Sequence, residues 1–376
     1  MVRPMFERSQ WSAAAIVLGQ LLVPTAAADD LDRDEQVEFY PTAALLDPAA
    51  ERTTFAVHGR IYEPEPDSPW RRQLLERLCD LLELDPAERA GKLFLARAAK
   101  FLVDNERRQR IDVRFGARTV TLAPSAADGH SQSLVTLPTV EVRRLQTVAA
   151  GGVPTVRFDA GGTSRDPRTF SGRVHLVAPT GLSIVSDVDD TIKDSNVLDR
   201  RELIRNTFLR DYRAVAGMAE VYRCWEAAGA AFHYVSASPW QLYADLEAFR
   251  VAERLPAGSM TLRHFRLSDG TAAALVGSSE AYKRTTIEGL MTAFPRRTFV
   301  FVGDSGERDP EIYGELARRR PAQSALIAIR LVTDDAPDGA RLRAAFRDVD
   351  PRRIVLFREA SELARRALPA ATDVDP

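Results

Sequence analysis

Two carboxylates stand two positions apart where a short apolar run of the sequence ends. The run spans 183–186, and Asp187 and Asp189 follow it, with Thr191 two positions further on. Apolar, β-branched residues bounded by turn formers predict a buried strand, and open parallel sheets bind ligands just beyond the carboxyl ends of their strands. Such carboxylates repel each other, and Mg²⁺, which prefers oxygen ligands, would offset that repulsion. On this stretch alone, the alternative of ordinary turn or helix-cap residues stays open.

A second apolar run, 298–302, leads into a similar acidic pair. Gly303 and Asp304 come directly after it, and Asp309 follows five residues later, before Pro310. If both runs are parallel strands, Asp304 faces the same crevice as the first pair and could complete a metal site. Asp309 could contribute to that site, but Asp before Pro is also a common helix cap.

Polar residues that suit an anion follow a third apolar run, 232–235. Ser236 comes first, and Ser238 with Pro239 and Gln241 has the spacing of a capping box at the start of a helix. The free amides and the dipole of a helix start favour a bound anion. We therefore interpret Ser236 as a phosphate contact and Ser238 as a helix cap, with the alternative that both serines only cap the helix.

A lysine completes this set of candidates. Lys283 lies at the predicted start of a helix that leads to Phe294, where the helix dipole disfavours a cation. Most lysines are surface charges, so this position alone says little. Beside a bound dianion, however, a fixed ammonium would offset the charge of the phosphate and of the carboxylates.

The composition is that of an ordinary globular chain. Of its 376 residues 45% are apolar, and the length allows two or three domains. The 51 basic and 53 acidic residues give a net charge of −2 and are interleaved, which does not suggest a nucleic-acid partner. We interpret each of the two cysteines, Cys79 and Cys224, as a buried free thiol, although their pairing stays open.

Residues 1–28 predict a secretory signal peptide. Arg3 and Arg8 precede an apolar block over 11–23, and Ala28 ends a run of small residues that suits cleavage. The block is too short to span a bilayer comfortably, and an uncleaved anchor is the alternative. We expect an exported protein, periplasmic or secreted after cleavage near Ala28, with no transmembrane segment in the mature chain.

Residues 29–180 predict a β-rich, sandwich-like domain with a helical insertion over 70–105. Turn-forming residues separate its strands. His58, His130 and His175 are scattered through it without the spacing of metal ligands. The predicted strands are Thr54–Tyr62, Ile111–Phe115, Thr119–Leu122, Val140–Thr147, Thr155–Phe158 and Arg173–Val177.

Residues 181–376 predict an α/β domain, because apolar strand runs alternate with amphipathic helices. That alternation implies crossover connections and a mostly parallel sheet. The helices predicted over 198–209 and 215–228, with no long insertion elsewhere, leave the crevice thinly covered. The predicted strands are Ser183–Ser186, Ala231–Val235, Ser259–Leu267, Thr298–Val302, Ser324–Arg330 and Ile354–Phe357.

Three strings of residues carry a resemblance to a known family. They are DVDDTIK over 187–193, YVSASPWQLY over 234–243 and GDSGERDPEIY over 303–313. In this order they resemble the haloacid dehalogenase superfamily of phosphohydrolases, and in detail its actin-patch-type phosphatidate phosphatase family. The resemblance covers about residues 182–357, with Ala237 where the family has Asn, and no motif of the first half matches.

The resemblance implies a Rossmann-like sheet with helices on both faces and a minimal cap. It implies that Asp187 is the nucleophile that takes the phosphoryl group. Asp189 would protonate the leaving alcohol and then activate water, which requires a raised pKa. Ser236 and Lys283 would orient the phosphate, with Thr191 beside them.

The same resemblance implies a Mg²⁺ site made by Asp304, Asp187 and the backbone carbonyl of Asp189, with Asp309 as a further candidate. The implied activity is Mg²⁺-dependent hydrolysis of phosphatidate to diacylglycerol and phosphate through an aspartyl-phosphate.

Two other functions stay open. A phosphatase of the same chemistry could act on soluble phosphoesters or on phosphoprotein. An envelope lipid- or protein-binding role could instead lie in the β-rich half. The thin cover favours a bulky substrate, such as a phospholipid at a membrane surface, which Trp240 and Tyr243 could contact unless they only pack a helix on the sheet. The oligomeric state is open.

Overall fold

The computed structural model describes residues 31–64, 69–148, 152–162, 167–265, 280–334, 336, 338–366 and 368–370. The predicted signal peptide lies outside the described residues. Within those ranges, every helix is too short or too polar to cross a bilayer.

Two sheets of the first half pack face to face around one apolar core. The first sheet consists of β1 (Gln36–Tyr40), β3 (Arg52–Glu63), β4 (Asp104–Asn105) and β7 (His130–Pro138). The second consists of β2 (Thr42–Leu45), β5 (Asp112–Phe115), β6 (Arg118–Thr121), β8 (Gln146–Thr147), β9 (Thr155–Gly161) and β10 (Thr169–Val177). Alternate residues of both sheets are buried in the core, as Phe55 and Val57 of β3 and Val156 and Phe158 of β9 illustrate.

Five of the six strands predicted for this half are confirmed, and one is wrong over most of its length. The strand predicted over Val140–Thr147 is mostly helical: residues Thr139–Leu145 form helix α4, and only Gln146–Thr147 pair as a strand. The alternating apolar residues suggested a strand, but Glu141 in the first turn and Arg144 in the last turn suit a helix dipole. Strands β1, β2, β4 and β7 were not predicted as separate elements, and β4 lies at the end of the stretch predicted to be helical.

The helical insertion packs against the second half. It contains α1 (Pro69–Leu81), α2 (Pro86–Arg89) and α3 (Lys92–Ala99). Leu78 and Phe94 share a buried cluster with Ile184 of the second half. Arg97 donates hydrogen bonds to the carbonyl oxygens of Thr207 and Arg210, at 3.0 and 2.7 Å. The insertion therefore forms part of the wall around the second half's sheet.

Six parallel strands form the sheet of the second half. They are β11 (Leu182–Ser186), β12 (Ala231–Pro239), β13 (Gly258–Arg263), β14 (Thr298–Asp304), β15 (Ser324–Arg330) and β16 (Ile354–Phe357), in the order β13–β12–β11–β14–β15–β16. β11 and β14 are central and buried along their whole length, as expected for strands covered on both faces. The prediction of a parallel α/β sheet is confirmed, although the strand predicted over 259–267 ends at Arg263 and residues 266–279 lie outside the described part.

Helices cover both faces of this sheet, since separate apolar clusters lie on its two sides. They are α5 (Arg200–Ile204, continued by a π-helical turn over Arg205–Leu209), α6 (Met218–Ala227), α7 (Tyr243–Ala252), α8 (Glu280–Ala293), α9 (Asp309–Arg319), α10 (Ala340–Ala345) and α11 (Ala360–Ala364). Cys79 is buried, as predicted, but Cys224 of α6 is exposed, and both are free thiols.

A buried arginine holds the connection between β10 and β11. Arg297 is 2% exposed and donates hydrogen bonds to the carbonyl oxygens of Ala178, Thr180 and Leu182. Gly181 has a φ of +113°, and a Cβ there would lie 3.1 Å from the guanidinium, so that only glycine suits this position.

Candidate active site

Asp187 lies directly after β11 and is almost completely buried. Its backbone N–H donates to the carbonyl of Val302 on the neighbouring strand, at 2.9 Å. The Nζ of Lys283 lies 2.8 Å from its Oδ1, and the hydroxyl of Thr191 donates to its Oδ2 at 3.3 Å. Burial raises the pKa of Asp187 well above its ordinary value, against the lowering effect of Lys283.

Asp304 ends β14 and faces the same crevice. Its Oδ1 accepts the backbone N–H groups of Gly306 and Glu307, at 2.6 and 3.2 Å. Its Oδ2 is buried and has no hydrogen-bond partner among the described residues. Burial raises the pKa of this carboxyl group well above its ordinary value, and the neighbouring Asp309 adds to the shift. An unsatisfied buried carboxylate oxygen is costly, and this one is free to bind a ligand.

Lys283 is the buried cation of this side of the crevice. It lies in the first turn of α8, and its Nζ lies 2.8 Å from carboxylate oxygens of Asp187, Glu307 and Asp309. These carboxylates raise its pKa, although burial acts in the opposite direction. The lysine is therefore a fixed ammonium.

Asp309 is not the helix cap that its position before Pro310 allowed. Helix α9 begins at Asp309, its Oδ1 contacts Lys283, and its Oδ2 accepts the N–H of Asp304 at 3.3 Å. A Cβ at Gly303 would lie 2.3 Å from that Oδ2, so that only glycine admits the carboxylate. Asp309 thus connects the lysine to the end of β14.

The donor set fits a hard divalent cation. Oxygen atoms of Asp187, Asp304 and Asp309 lie within 4.8 Å of one another, and all three residues are buried. With Glu307, four carboxylates lie near one lysine, and three of the four are buried. A metal ion with oxygen ligands would compensate this charge and satisfy the free oxygen of Asp304.

Asp189 lies on the other side of the crevice in a different environment. The Nζ of Lys193 lies 2.7 Å from its Oδ1, and Ser195 donates to the same oxygen at 2.6 Å. Burial alone would raise its pKa, but the Lys193 ammonium and the hydroxyls of Ser195 and Ser238 lower it to about 2. The raised pKa expected for Asp189 is therefore wrong.

Two serines in the last residues of β12, Ser236 and Ser238, both contact Asp189. Ser238 donates from Oγ to its Oδ2 at 2.9 Å, and Ser236 does so at 3.3 Å while accepting the N–H of Ser238. Strand β12 continues to Pro239, and a 3₁₀ turn over Trp240–Leu242 precedes α7. The interpretation of Ser238 as a helix cap is therefore wrong.

Three contributors to the site were not predicted from the sequence. Lys193 and Ser195 hold Asp189, and Glu307 contacts Lys283. The only signal in the sequence was the spacing of four residues between Asp189 and Lys193. That spacing predicts a side-chain contact in a helix, but no helix was predicted there, and the segment is in fact a turn.

An apolar pocket adjoins Asp189 and Ser238. Its wall combines the helical insertion of the first half with α5, the π-helical turn, and the end of β12 with the 3₁₀ turn that follows it. The apolar residues that line it are Leu82, Val197, Leu203, Ile204, Phe208, Ala237, Pro239 and Leu242. Trp240 and Tyr243 are buried and do not line it, and both rings pack against Tyr40 of the first half.

Comparison with known proteins gives matches over the same part of the chain. Residues 182–331 match the family model for the catalytic domain of phosphatidate phosphatase APP1. The three strings over 187–193, 234–243 and 303–313 all lie within this matched segment. The resemblance carried by the three strings is thereby confirmed for this segment.

Two curated relatives from yeasts align with the second half. Phosphatidate phosphatase APP1 of Saccharomyces cerevisiae is 33% identical over 177 residues, which are 46% of this chain and 30% of that protein. An uncharacterized protein of Schizosaccharomyces pombe is 31% identical over 179 residues, 46% of this chain and 29% of the relative. The chain thus spans less than a third of the length of these relatives.

Proposed function

We propose that this chain is a Mg²⁺-dependent phosphatidate phosphatase of the haloacid dehalogenase type, which releases diacylglycerol and phosphate. The observation that carries the proposal is that the residues of the crevice lie within the segment that matches a known catalytic domain. The segment that matches the APP1 catalytic domain contains the buried carboxylates and the lysine that converge at the crevice. A parallel sheet with its acidic residues at the carboxyl ends of β11 and β14 supports it as well.

Asp187 would act as the nucleophile. As one of its oxygens forms a bond to phosphorus, the bond between phosphorus and the lipid oxygen breaks, giving an aspartyl-phosphate that water then hydrolyses. Lys283, 2.8 Å from the carboxylate, would reduce the repulsion between nucleophile and phosphate. Fixed positioning of the reacting groups supplies much of the remaining acceleration.

Asp189 would give a proton to the leaving alcohol and then take one from the attacking water. Lys193 favours its ionised form. A phosphate dianion bound beside it would raise its pKa, since a neighbouring negative charge disfavours the carboxylate. Ser236 and Ser238, which donate to Asp189, hold its side chain in place and could turn toward a bound phosphate.

The metal would be held by Asp187 and Asp304, with Asp309 as a further candidate. When bound, Mg²⁺ supplies charge neutralisation for the phosphoryl group in transfer.

The apolar pocket beside Asp189 favours a substrate with an apolar part over a polar soluble ester. Ligand sites generally combine apolar walls with a few polar groups that fix orientation, and this pocket has that composition. We therefore place the lipid portion of phosphatidate against the pocket, and the phosphate against Lys283.

The test is phosphate release by the protein with Mg²⁺, from phosphatidate in mixed micelles and from a small soluble aryl phosphate. Asp187→Asn is the inactive variant, and Asp34→Asn, an exposed carboxylate of the first half, is the matched control. We expect lipid turnover that Asp34→Asn retains and that Asp187→Asn reduces by at least a factor of about 1000. Turnover of the aryl ester alone would support the phosphatase mechanism but show that the substrate is a soluble phosphoester rather than phosphatidate. Absence of release from both substrates would contradict the proposal.

We also propose export of this chain and a division into residues 29–180 and 181–376. The charged start, the apolar block and the small residues before Asp29 support export. N-terminal sequencing of the protein recovered from the cell envelope is the measurement. A mature start near Asp29 is expected, and a start at Met1 in the cytoplasm would contradict export.

A further inference from the structure

Three of the chain's five histidines meet where the two halves of the molecule touch. His58 lies on β3 and His130 on β7. Because His130 pairs with Arg60, two positions from His58, both rings lie on the same face of the sheet. His264 follows β13 of the second half. One ring nitrogen of each histidine lies within 4.8 Å of the other two.

The first two rings already have the spacing of metal ligands. The Nε2 of His58 lies 3.0 Å from the Nδ1 of His130. In a tetrahedral zinc site, with Zn–N bonds of about 2.0–2.1 Å, neighbouring nitrogens lie about 3.3 Å apart. His264 has half of its side chain exposed, so its ring is able to turn toward this pair.

A carboxylate orients the third ring. Oδ2 of Asp128 lies 3.1 Å from the Nδ1 of His264, and its Oδ1 accepts the backbone N–H of His130 at 3.3 Å. Histidines that bind zinc commonly donate their other N–H to a carboxylate, which fixes the tautomer and raises the basicity of the binding nitrogen. Asp128 thus leaves the Nε2 of His264 for a ligand.

Aromatic rings enclose the buried side of the cluster. The indole of Trp240 lies 4.7 Å from the ring of His58 and 6.1 Å from that of His130, and Tyr40 lies 4.8 Å from His58. His58 and His130 are both buried. Such an apolar surrounding limits access of water, as around many metal sites.

We propose that His58, His130 and His264 bind one zinc ion. Imidazole nitrogens suit zinc and related transition metals, whereas Mg²⁺ prefers the oxygen ligands of the acidic crevice. On binding, the imidazole that donates in the His58–His130 hydrogen bond carries its proton on its other nitrogen, so that both facing nitrogens bind the metal. The ion joins two strands of the first half to the segment after β13 of the second half. This site is independent of the proposed phosphatase activity.

The test is zinc binding by the full chain after treatment with a chelator, in the presence of excess Mg²⁺ to occupy the acidic crevice. Competition with a chromogenic zinc chelator gives the stoichiometry and the affinity. We expect one zinc per chain, a rise in the melting temperature with zinc, and loss of both in His264→Ala. Asp128→Asn should weaken zinc binding about 10- to 100-fold, since it removes the group that orients a ligand.

Three controls accompany this test. His264 is half-exposed, so its replacement should leave the circular dichroism spectrum unchanged. Asp304→Asn should bind one zinc as the wild type does, and Co²⁺ in place of zinc should give the visible absorption of a tetrahedral site. Equal zinc binding by wild type and His264→Ala would overturn the proposal, and so would loss of zinc in Asp304→Asn or the absence of zinc binding by the wild type.

Discussion

The two sides of the crevice hold similar groups in opposite charge balance. On one side Asp189 faces Lys193 at 2.7 Å and accepts hydrogen bonds from three serine hydroxyls. On the other side Lys283 contacts three carboxylates, and Asp304 lies beside them with one oxygen unsatisfied among the described groups. The first side is neutral and complete by itself, whereas the second has an excess of negative charge.

This difference is visible in the acidity of the carboxyl groups. The pKa of Asp189 is lowered to about 2, although burial acts to raise it, because its partners favour the charged form. The pKa values of Asp187 and Asp304 are raised, first by burial and then by neighbouring carboxylates. The group around Asp189 and Lys193 therefore needs no further cation. The group around Lys283 does, and it is the one suited to a metal.

Removing each lysine in turn should have the largest effect. Lys283→Met and Lys193→Met should each lower the free energy of unfolding by about 3–5 kcal/mol, because each leaves a buried carboxylate without its cation. Saturating Mg²⁺ should restore part of the stability of Lys283→Met and none of that of Lys193→Met. Urea denaturation with and without Mg²⁺ measures this, with the exposed Lys92→Met as control. Equal rescue of both variants would refute the difference between the two sides.

Replacement of a carboxylate should have a smaller effect on the fold and a clear effect on catalysis. Asp304→Asn removes one of several repelling charges, so the metal-free protein should become more stable, because the raised pKa of Asp304 makes its ionised form unfavourable at neutral pH. Mg²⁺ should stabilise the wild type, by about 2.7 kcal/mol at a 100-fold excess over its Kd, and leave the variant unchanged. Phosphate release should fall about 100- to 1000-fold. A variant that Mg²⁺ still stabilises fully would show that the metal binds elsewhere.

A buried imidazole outside the crevice should have a smaller effect, on the pH dependence of stability. Burial lowers the pKa of His233 to about 3, from an ordinary value near 6.5. The unfolded chain therefore binds a proton that the folded chain excludes, and stability is lost as the pH falls below 6.5. Between pH 6.5 and 5 this group should cost about 2 kcal/mol. His233→Gln should remove that share of the loss in urea denaturation at pH 7.5 and 5, and an unchanged pH dependence would contradict it.

Sequence patterns were sufficient for the parts of the fold that depend on local order. The central strands were predictable because covered parallel strands read as continuous apolar runs, as in LSIVS over 182–186. Their order brought Asp187 and Asp304 together, since the carboxyl ends of adjacent parallel strands meet at one edge. Lys283 was placed in the first turn of its helix for the same local reasons.

Contacts between distant segments were not predictable in this way. Lys193 reaches Asp189 through a turn whose geometry no periodicity specifies, and Ser238 reaches it only because β12 extends further than its apolar run. The histidine cluster depends on the docking of two halves: His58 and His130 are 72 positions apart, and His264 belongs to the other half. Scattered ligands give no spacing signal, and hence the sequence interpretation of these histidines missed their contact.

The hydrogen bonds that Arg297 donates to the segment between β10 and β11 affect how easily a protease could cleave that segment. Segments that join two halves of a protein are usually where proteases cut, because their backbone is exposed and easily reshaped. Here three carbonyl groups of that segment are bound by a single buried guanidinium. A protease must bind its target in an extended form, which would require breaking these bonds together. The junction is therefore a poor cleavage site, and limited digestion should trim the chain elsewhere before it separates the two halves.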